Sequence, residues 1–112
     1  MENTLLEKIT QILDDKKAID IKTLDTRSKT TLADYFVVAT GTSSVHVKSL
    51  CDNIEEKLKE IKIAPRKIEG YETRTWILMD YNDIIVNIFT PEERANYNLE
   101  ELWEKAQNII DQ

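Results

Sequence analysis

The run Tyr35-Phe36-Val37-Val38-Ala39 restricts this chain more than any other stretch. Its aromatic, β-branched and small apolar residues follow one another without polar alternation, the pattern of a strand inside a sheet rather than one with a solvated face. Gly41 breaks the strand, and Ser43 or Ser44 is placed to cap a helix. The apolar residues Val47, Leu50, Cys51, Ile54, Leu58 and Ile61 then fit one helical stripe, predicting a helix over Ser44–Ile61. Strand, tight turn and capped helix form the first half of a βαβ unit whose helix covers one sheet face. The sheet is expected to have its middle at Tyr35–Ala39.

The remaining segments fit around that unit. Leu5, Ile9, Ile12 and Leu13 stand at helical spacing, with Glu2 and Glu7 early and Lys16 and Lys17 late, predicting a helix over Thr4–Lys17. Ala18–Leu24 alternates, with Ile19 and Ile21 on one face and Asp20 and Lys22 on the other, as in a half-buried strand. A polar connection follows over Asp25–Thr31. Pro65–Glu69 is the third strand, and Gly70 turns the chain. Trp76–Asp80 and Asp83–Phe89 are separated by Tyr81 and Asn82 alone, the mark of an antiparallel hairpin. Pro91 suits the first turn of a short helix through Arg94. Asn98 and Glu101 form a capping box for a last helix whose stripe is Leu102, Trp103, Ala106, Ile109 and Ile110. The expected architecture is one α/β domain over residues 1–112, with a mixed, roughly five-stranded sheet flanked by helices.

Charge narrows the partners. Fifteen basic against 21 acidic residues give a formal net charge of -6. Residues 1–56 carry 7 basic and 10 acidic groups and residues 57–112 carry 8 and 11, so neither half is basic. Nucleic-acid binding uses a concentrated positive footprint, so little direct binding is expected, whereas a basic protein partner is accommodated. The single cysteine, Cys51, excludes an internal disulfide and a multi-cysteine metal site. The acidic N-terminus lacks the pattern of a secretory signal, and no apolar run reaches the roughly 20 residues needed to span a bilayer. A cytoplasmic protein without membrane contact is expected.

Catalytic constellations are sparse. His46 is the only histidine, in the first turn of a helix, and reads as structural or solvent-facing. Cys51 lies on the apolar stripe as a core thiol. Thr40-Gly41-Thr42-Ser43-Ser44 could offer backbone N–H groups and hydroxyls to a phosphate, but has too few glycines for a dinucleotide fingerprint and no phosphate-loop lysine. Asp80 and Asp83 bracket a turn and are not an alternating metal-binding pair on one strand. No cofactor and no catalytic residue is assigned. Aromatic residues gather instead in the second half: Tyr71, Trp76, Tyr81, Phe89, Tyr97 and Trp103. Both faces of Trp76–Asp80 are partly apolar, so one is expected to be covered by something outside the domain. Glu92, Glu93, Glu100, Glu101 and Glu104 could form an acidic rim around such a contact.

Three ordered segments act together as one signal. The first is Ala33-Asp34-Tyr35-Phe36-Val37-Val38-Ala39-Thr40-Gly41-Thr42-Ser43 with His46-Val47. The second is Glu69-Gly70 followed by Trp76-Ile77-Leu78-Met79-Asp80-Tyr81. The third is Asp83–Phe89 followed by Glu93-Arg94, Tyr97, Leu99-Glu100 and Leu102-Trp103. In their order and spacing these segments resemble the ribosomal silencing factor family, also called the Iojap-like family, and the resemblance implies a compact α/β fold shaped like the nucleotidyltransferases without their catalytic set. It further implies a non-enzymatic translational repressor. Such a factor binds the large ribosomal subunit through a ribosomal protein on the intersubunit face, and sterically blocks association with the small subunit.

The partner-binding residues expected on that basis are Trp76, Asp80, Tyr81, Glu93, Arg94, Tyr97 and Glu100, facing a basic ribosomal protein. Asn87 departs from the family's histidine, Val45 from an arginine, Asn82 from a glycine and Asn96 from a large side chain. Two other classes compete: a small nucleotide-binding or nucleotidyl-transfer domain using Thr40–Ser44, and a self-associating module. A homodimer of the free protein would be compatible with ribosome binding if both used the same aromatic patch.

Overall fold

The computed structural model describes residues 4–28 and 33–110, apart from the side chains of residues 99, 100, 107, 109 and 110. Its elements are α1 (Thr4–Asp15), β1 (Ile19–Asp25), β2 (Tyr35–Thr40), α2 (Ser44–Lys59), β3 (Lys67–Glu69), β4 (Trp76–Asp80), β5 (Ile84–Phe89), α3 (Pro91–Ala95) and α4 (Leu99–Ile110). The five strands form one sheet in the order β1-β2-β5-β4-β3. Only β2 and β5 run parallel, the other neighbours being antiparallel, so the sheet is mixed as expected.

The middle strand is β5 rather than β2. All six of its residues are buried, because β2 covers one edge, β4 the other, and helices cover both faces. The chain leaves β2, crosses one face as α2, and builds the β3–β4 pair at the far edge before β5 returns between β2 and β4. The βαβ half-unit is therefore real, but its parallel partner is β5.

Strand alternation divides the core into two layers. Val37, Ala39, Ile77, Met79, Ile84, Val86 and Ile88 face Ile9 and Leu13 of α1 and Val47, Leu50, Cys51, Ile54 and Leu58 of α2. Phe36, Val38, Leu78, Ile85 and Phe89 face Leu102 and Ala106 of α4. Leu78 is fully covered by this second layer, so the apolar back of β4 is mostly filled from within the chain and leaves only Trp76 half-exposed.

The caps follow the sequence. Ser43 is the N-cap of α2, its hydroxyl accepting the His46 N–H at 3.2 Å. Asn98 and Glu101 exchange side-chain-to-backbone bonds of 3.1 and 2.8 Å at the start of α4. Thr90 caps α3, with Pro91 in its first turn. The alternation expected for β1 fails at its start. Asp20 has φ 49° and the register shifts between Ile19 and Lys22, a bulge that leaves Ile19 exposed while Ile21 packs against the α1 and α2 layer. The polar connection expected over Asp25–Thr31 lies partly outside the described residues, as do Glu2 and the side chains of Ile109 and Ile110 in the α4 stripe.

Candidate partner-binding surface

Trp76 opens β4 because the preceding turn is tightly closed. Gly70 has φ 80°, and its carbonyl accepts the Arg74 N–H at 3.0 Å. A Cβ on Gly70 would overlap the Trp76 carbonyl oxygen, so glycine is needed both for the positive φ and for the close approach. The hairpin register sets Trp76 opposite Phe89. The indole lies 5.0 Å from the Phe89 ring, tilted by 31°, and 6.0 Å from the Tyr97 ring, tilted by 50°. Phe89 is fully buried, whereas Trp76 and Tyr97 are half-buried. The cluster therefore has a fixed floor and a partly open top.

Tyr97 is placed between α3 and α4 by the Asn98 capping box and is held from the helix side. The Lys105 ammonium donates to its hydroxyl at 3.0 Å and stands 4.9 Å from its ring centroid. That hydrogen bond raises the Lys105 pKa, leaving the amine charged at neutral pH. Glu93 and Arg94 sit half-exposed on α3, next to the same turn. An open depression beside Tyr97 is lined by Glu101, Glu104, Lys105 and Asn108.

Of the seven sequence-derived contact residues, the structure brings Trp76 and Tyr97 together, with Glu93 and Arg94 on the adjoining helix. Glu100 lies in the first turn of α4, with its side chain outside the description. Asp80 and Tyr81 do not join them. Asp80 closes the opposite end of β4, about 13 Å of strand from Trp76 at the usual rise per residue. It is 2% exposed and accepts the Asn82 N–H at 2.8 Å, with the Arg66 guanidinium 3.4 Å away. It is a turn-closing carboxylate. Tyr81 is 5% exposed and packs into the α1 and α2 layer, where burial pushes its phenol pKa upward. Neither presents its side chain to a partner, because the end of β4 turns back into the core there.

Sequence reasoning missed Asn87, which lies buried beneath this surface, and Lys105, which lies beside it. Asn87 is completely buried on the α4 side of β5. The Trp76 Nε1–H donates to its Oδ1 at 3.0 Å, and its Nδ2 donates to the Val37 carbonyl at 3.2 Å. The available signal was a lone amide in an otherwise apolar strand, set by alternation on the same face as Phe89 and by the hairpin near Trp76.

In the turn over Thr40–Ser44 the Gly41 N–H donates to the Phe89 carbonyl at 2.8 Å, whereas the buried Thr40 hydroxyl has no hydrogen-bond partner among the described residues. The Thr42 N–H donates to His46 Nδ1 at 2.8 Å, which makes that nitrogen an acceptor and places the ring proton on Nε2. Nε2 then donates to the Lys16 carbonyl at 2.8 Å, tying the end of α1 to the start of α2. His46 is thus structural. Gly41 packs against Val47, whose Cγ2 would lie 2.9 Å from a Cβ at position 41. Cys51 is fully buried, and desolvation pushes its thiol pKa up to about 12. Among the described residues no group of three or more His, Cys, Asp or Glu side chains is arranged to hold a metal, and no helix is long and apolar enough to cross a membrane.

A mixed five-stranded sheet between helical layers, with a half-open aromatic cluster where β4 begins and β5 ends, defines a small α/β domain. The family model described as ribosomal silencing factor during starvation matches residues 1–112, and the chain belongs to that family. Over 99 residues it is 39% identical to the ribosomal silencing factor of Zymomonas mobilis, covering 88% of this chain and 74% of that protein. It is 35% identical over 105 residues to the Bacillus subtilis factor, covering 94% and 89%. A crystal structure of a Chromobacterium violaceum protein superposes with a TM-score of 0.84 at 36% identity, covering 93% of this chain and 88% of that one. A second, from Bacillus halodurans, gives 0.83 at 33% identity, covering 91% and 95%. The resemblance read from the three sequence segments is borne out, and with it a general ribosome-silencing role.

Proposed function

We propose that the chain represses translation by binding the large ribosomal subunit through a basic ribosomal protein on its intersubunit face, so that the small subunit cannot join. The contact surface is centred on Trp76 and Tyr97, with Glu93, Arg94 and Glu100 as its charged rim. The observation that carries this reading is the half-exposed Trp76–Tyr97 pair on a buried Phe89 floor. Large aromatic groups held rigidly lose little entropy on binding and dominate protein contacts. The net charge of -6 favours a basic partner and opposes direct attachment to RNA phosphates.

The mechanism is steric, and a domain of this size needs no chemistry to occupy a docking face. The nucleotidyltransferase-like shape is then a scaffold without its catalytic set, a reading supported by the internal satisfaction of Thr42, Ser43 and His46. The setting is the cytoplasm, and a homodimer of the free protein would cover the same aromatic patch.

Binding of wild type and a Trp76→Ala/Tyr97→Ala double variant to purified large subunits, small subunits and joined ribosomes tests the proposal. Truncating a central aromatic anchor costs about 2 kcal/mol or more, roughly 30-fold in affinity. Saturable large-subunit binding, weakened by at least that factor in the folded variant and absent from joined ribosomes, is expected. Equal binding to both subunits, or an unaffected variant, would refute it.

A further inference from the structure

The Trp76–Asn87 hydrogen bond fixes more than a side-chain position. An indole nitrogen can only donate, and a backbone carbonyl can only accept. The amide of Asn87 is therefore oriented by both partners at once, its oxygen toward Trp76 and its nitrogen toward Val37. Asn87 is anchored on β5 at the centre of the sheet and is 0% exposed, so its end of the part-buried bond is fixed within the core. The only polar atom of the Trp76 side chain is thereby turned into the protein. The Tyr97 hydroxyl beside it is likewise engaged by Lys105.

We propose that Asn87 is the positioning residue of the contact surface: it withdraws the Trp76 N–H and presents the indole as an apolar anchor without a free donor. The seat for Trp76 on the partner is then built from aliphatic carbon, such as side-chain stems, and contains no acceptor for the indole. A buried acceptor there would be left unsatisfied and would disfavour the complex. This rests on the reading of Trp76 as a binding residue.

The test uses Asn87→Leu, Asn87→His and Trp76→Ala in the full chain, with purified large ribosomal subunits as the probe. The chain has two tryptophans, so its two indole N–H signals can be followed by NMR and assigned with Trp103→Phe. In folded Asn87→Leu the Trp76 N–H is expected to exchange at least ~10-fold faster, with large-subunit affinity falling by a similar factor. Asn87→His is expected to restore both at pH 8, where a neutral imidazole supplies one acceptor and one donor. It is expected to lose both relative to wild type at pH 5, where an imidazolium only donates.

Should Asn87→Leu fail to fold, the pH dependence of Asn87→His carries the test by itself. An exposed Trp76 N–H with undiminished affinity, or an N–H that stays protected without Asn87, would overturn the proposal. If Trp76→Ala binds like wild type, the surface reading itself falls. If Trp76→Ala binds weakly while Asn87→Leu binds normally, only the role of Asn87 falls.

Discussion

Gly70→Ala tests whether the turn before β4 sets the position of the aromatic cluster. Two penalties act there. Holding alanine at φ 80° costs about 1–2 kcal/mol, the ordinary cost of left-handed backbone for a residue with a Cβ. The new methyl would overlap the Trp76 carbonyl oxygen, and moving the start of β4 to relieve this costs a further 1–3 kcal/mol or so, as other forced overpacking does. The sum is about 2–5 kcal/mol, a large share of the 5–15 kcal/mol typical of a domain. Near this chain length, at about 4 °C per kcal/mol, the melting temperature should fall by roughly 8–20 °C. Denaturant unfolding measures the loss, and Gly70→Asn divides it: asparagine tolerates the positive φ but keeps the overlap. It is expected to recover less than about 1 kcal/mol. Because the displaced atom belongs to Trp76, large-subunit affinity should fall as well. A Gly70→Ala protein within about 0.5 kcal/mol of wild type would refute the close-approach argument, and full recovery by asparagine would reduce it to backbone strain.

Four further outcomes follow from the packing. The Tyr81 hydroxyl is buried with no hydrogen-bond partner among the described residues, so Tyr81→Phe should raise stability by about 1 kcal/mol in denaturant and leave large-subunit affinity unchanged. Weakened binding would restore Tyr81 as a contact. Cys51, with its thiol pKa pushed up to about 12 by burial, should resist a thiol-reactive dye at pH 8 and become labelled only as denaturant unfolds the chain. Asn98→Ala removes one half of the reciprocal cap and should cost about 1 kcal/mol by thermal melting, loosening the turn that carries Tyr97. Burial works to raise the pKa of Asp52, but hydrogen bonds from Lys48 and Tyr71 outweigh it and lower the value. A depressed carboxylate pKa stabilises the fold above about pH 4 and loses that contribution as pH falls through the folded-state value. The stability difference between wild type and Asp52→Asn should therefore shrink from pH 7 to pH 3 in urea titrations.

Most of the element pattern was legible because local signals agreed with one another. Ser43 before a helical stripe, the Asn98 and Glu101 spacing, and Pro91 after a strand each report a backbone need that a few residues meet alone. Strand order was less legible. Tyr35–Ala39 is an uninterrupted apolar run and Ile84–Phe89 is apolar apart from Asn87, and nothing local to either says which has buried strands on both sides. The bulge at Asp20 was hidden for a related reason: alternation assigns Ile19 to the core, whereas the pairing of β1 with β2 shifts register there. Alternation put Trp76 on one face with Leu78 and Asp80 but could neither say that α4 covers that face nor rank exposure along it. Trp76, Leu78 and Asp80 share it, and only the placement of α3, α4 and the Asp80 turn separates a half-open anchor from two buried residues.

Asn87 shows why the candidate site was the least legible part of the molecule. Read alone, it was the loss of an ionisable group from a strand. In the fold it becomes the link between three strands, accepting from β4 and donating to β2 while its own backbone belongs to β5. A polar group in such a position is tolerated only when its bonds are made, since an unsatisfied buried amide costs about 1–3 kcal/mol. The requirement is mutual: Asn87 needs the Trp76 donor as much as Trp76 needs an acceptor. Residues that serve a contact surface without touching the partner are coupled in this way through the core, and their chemistry emerges only when the strands are paired.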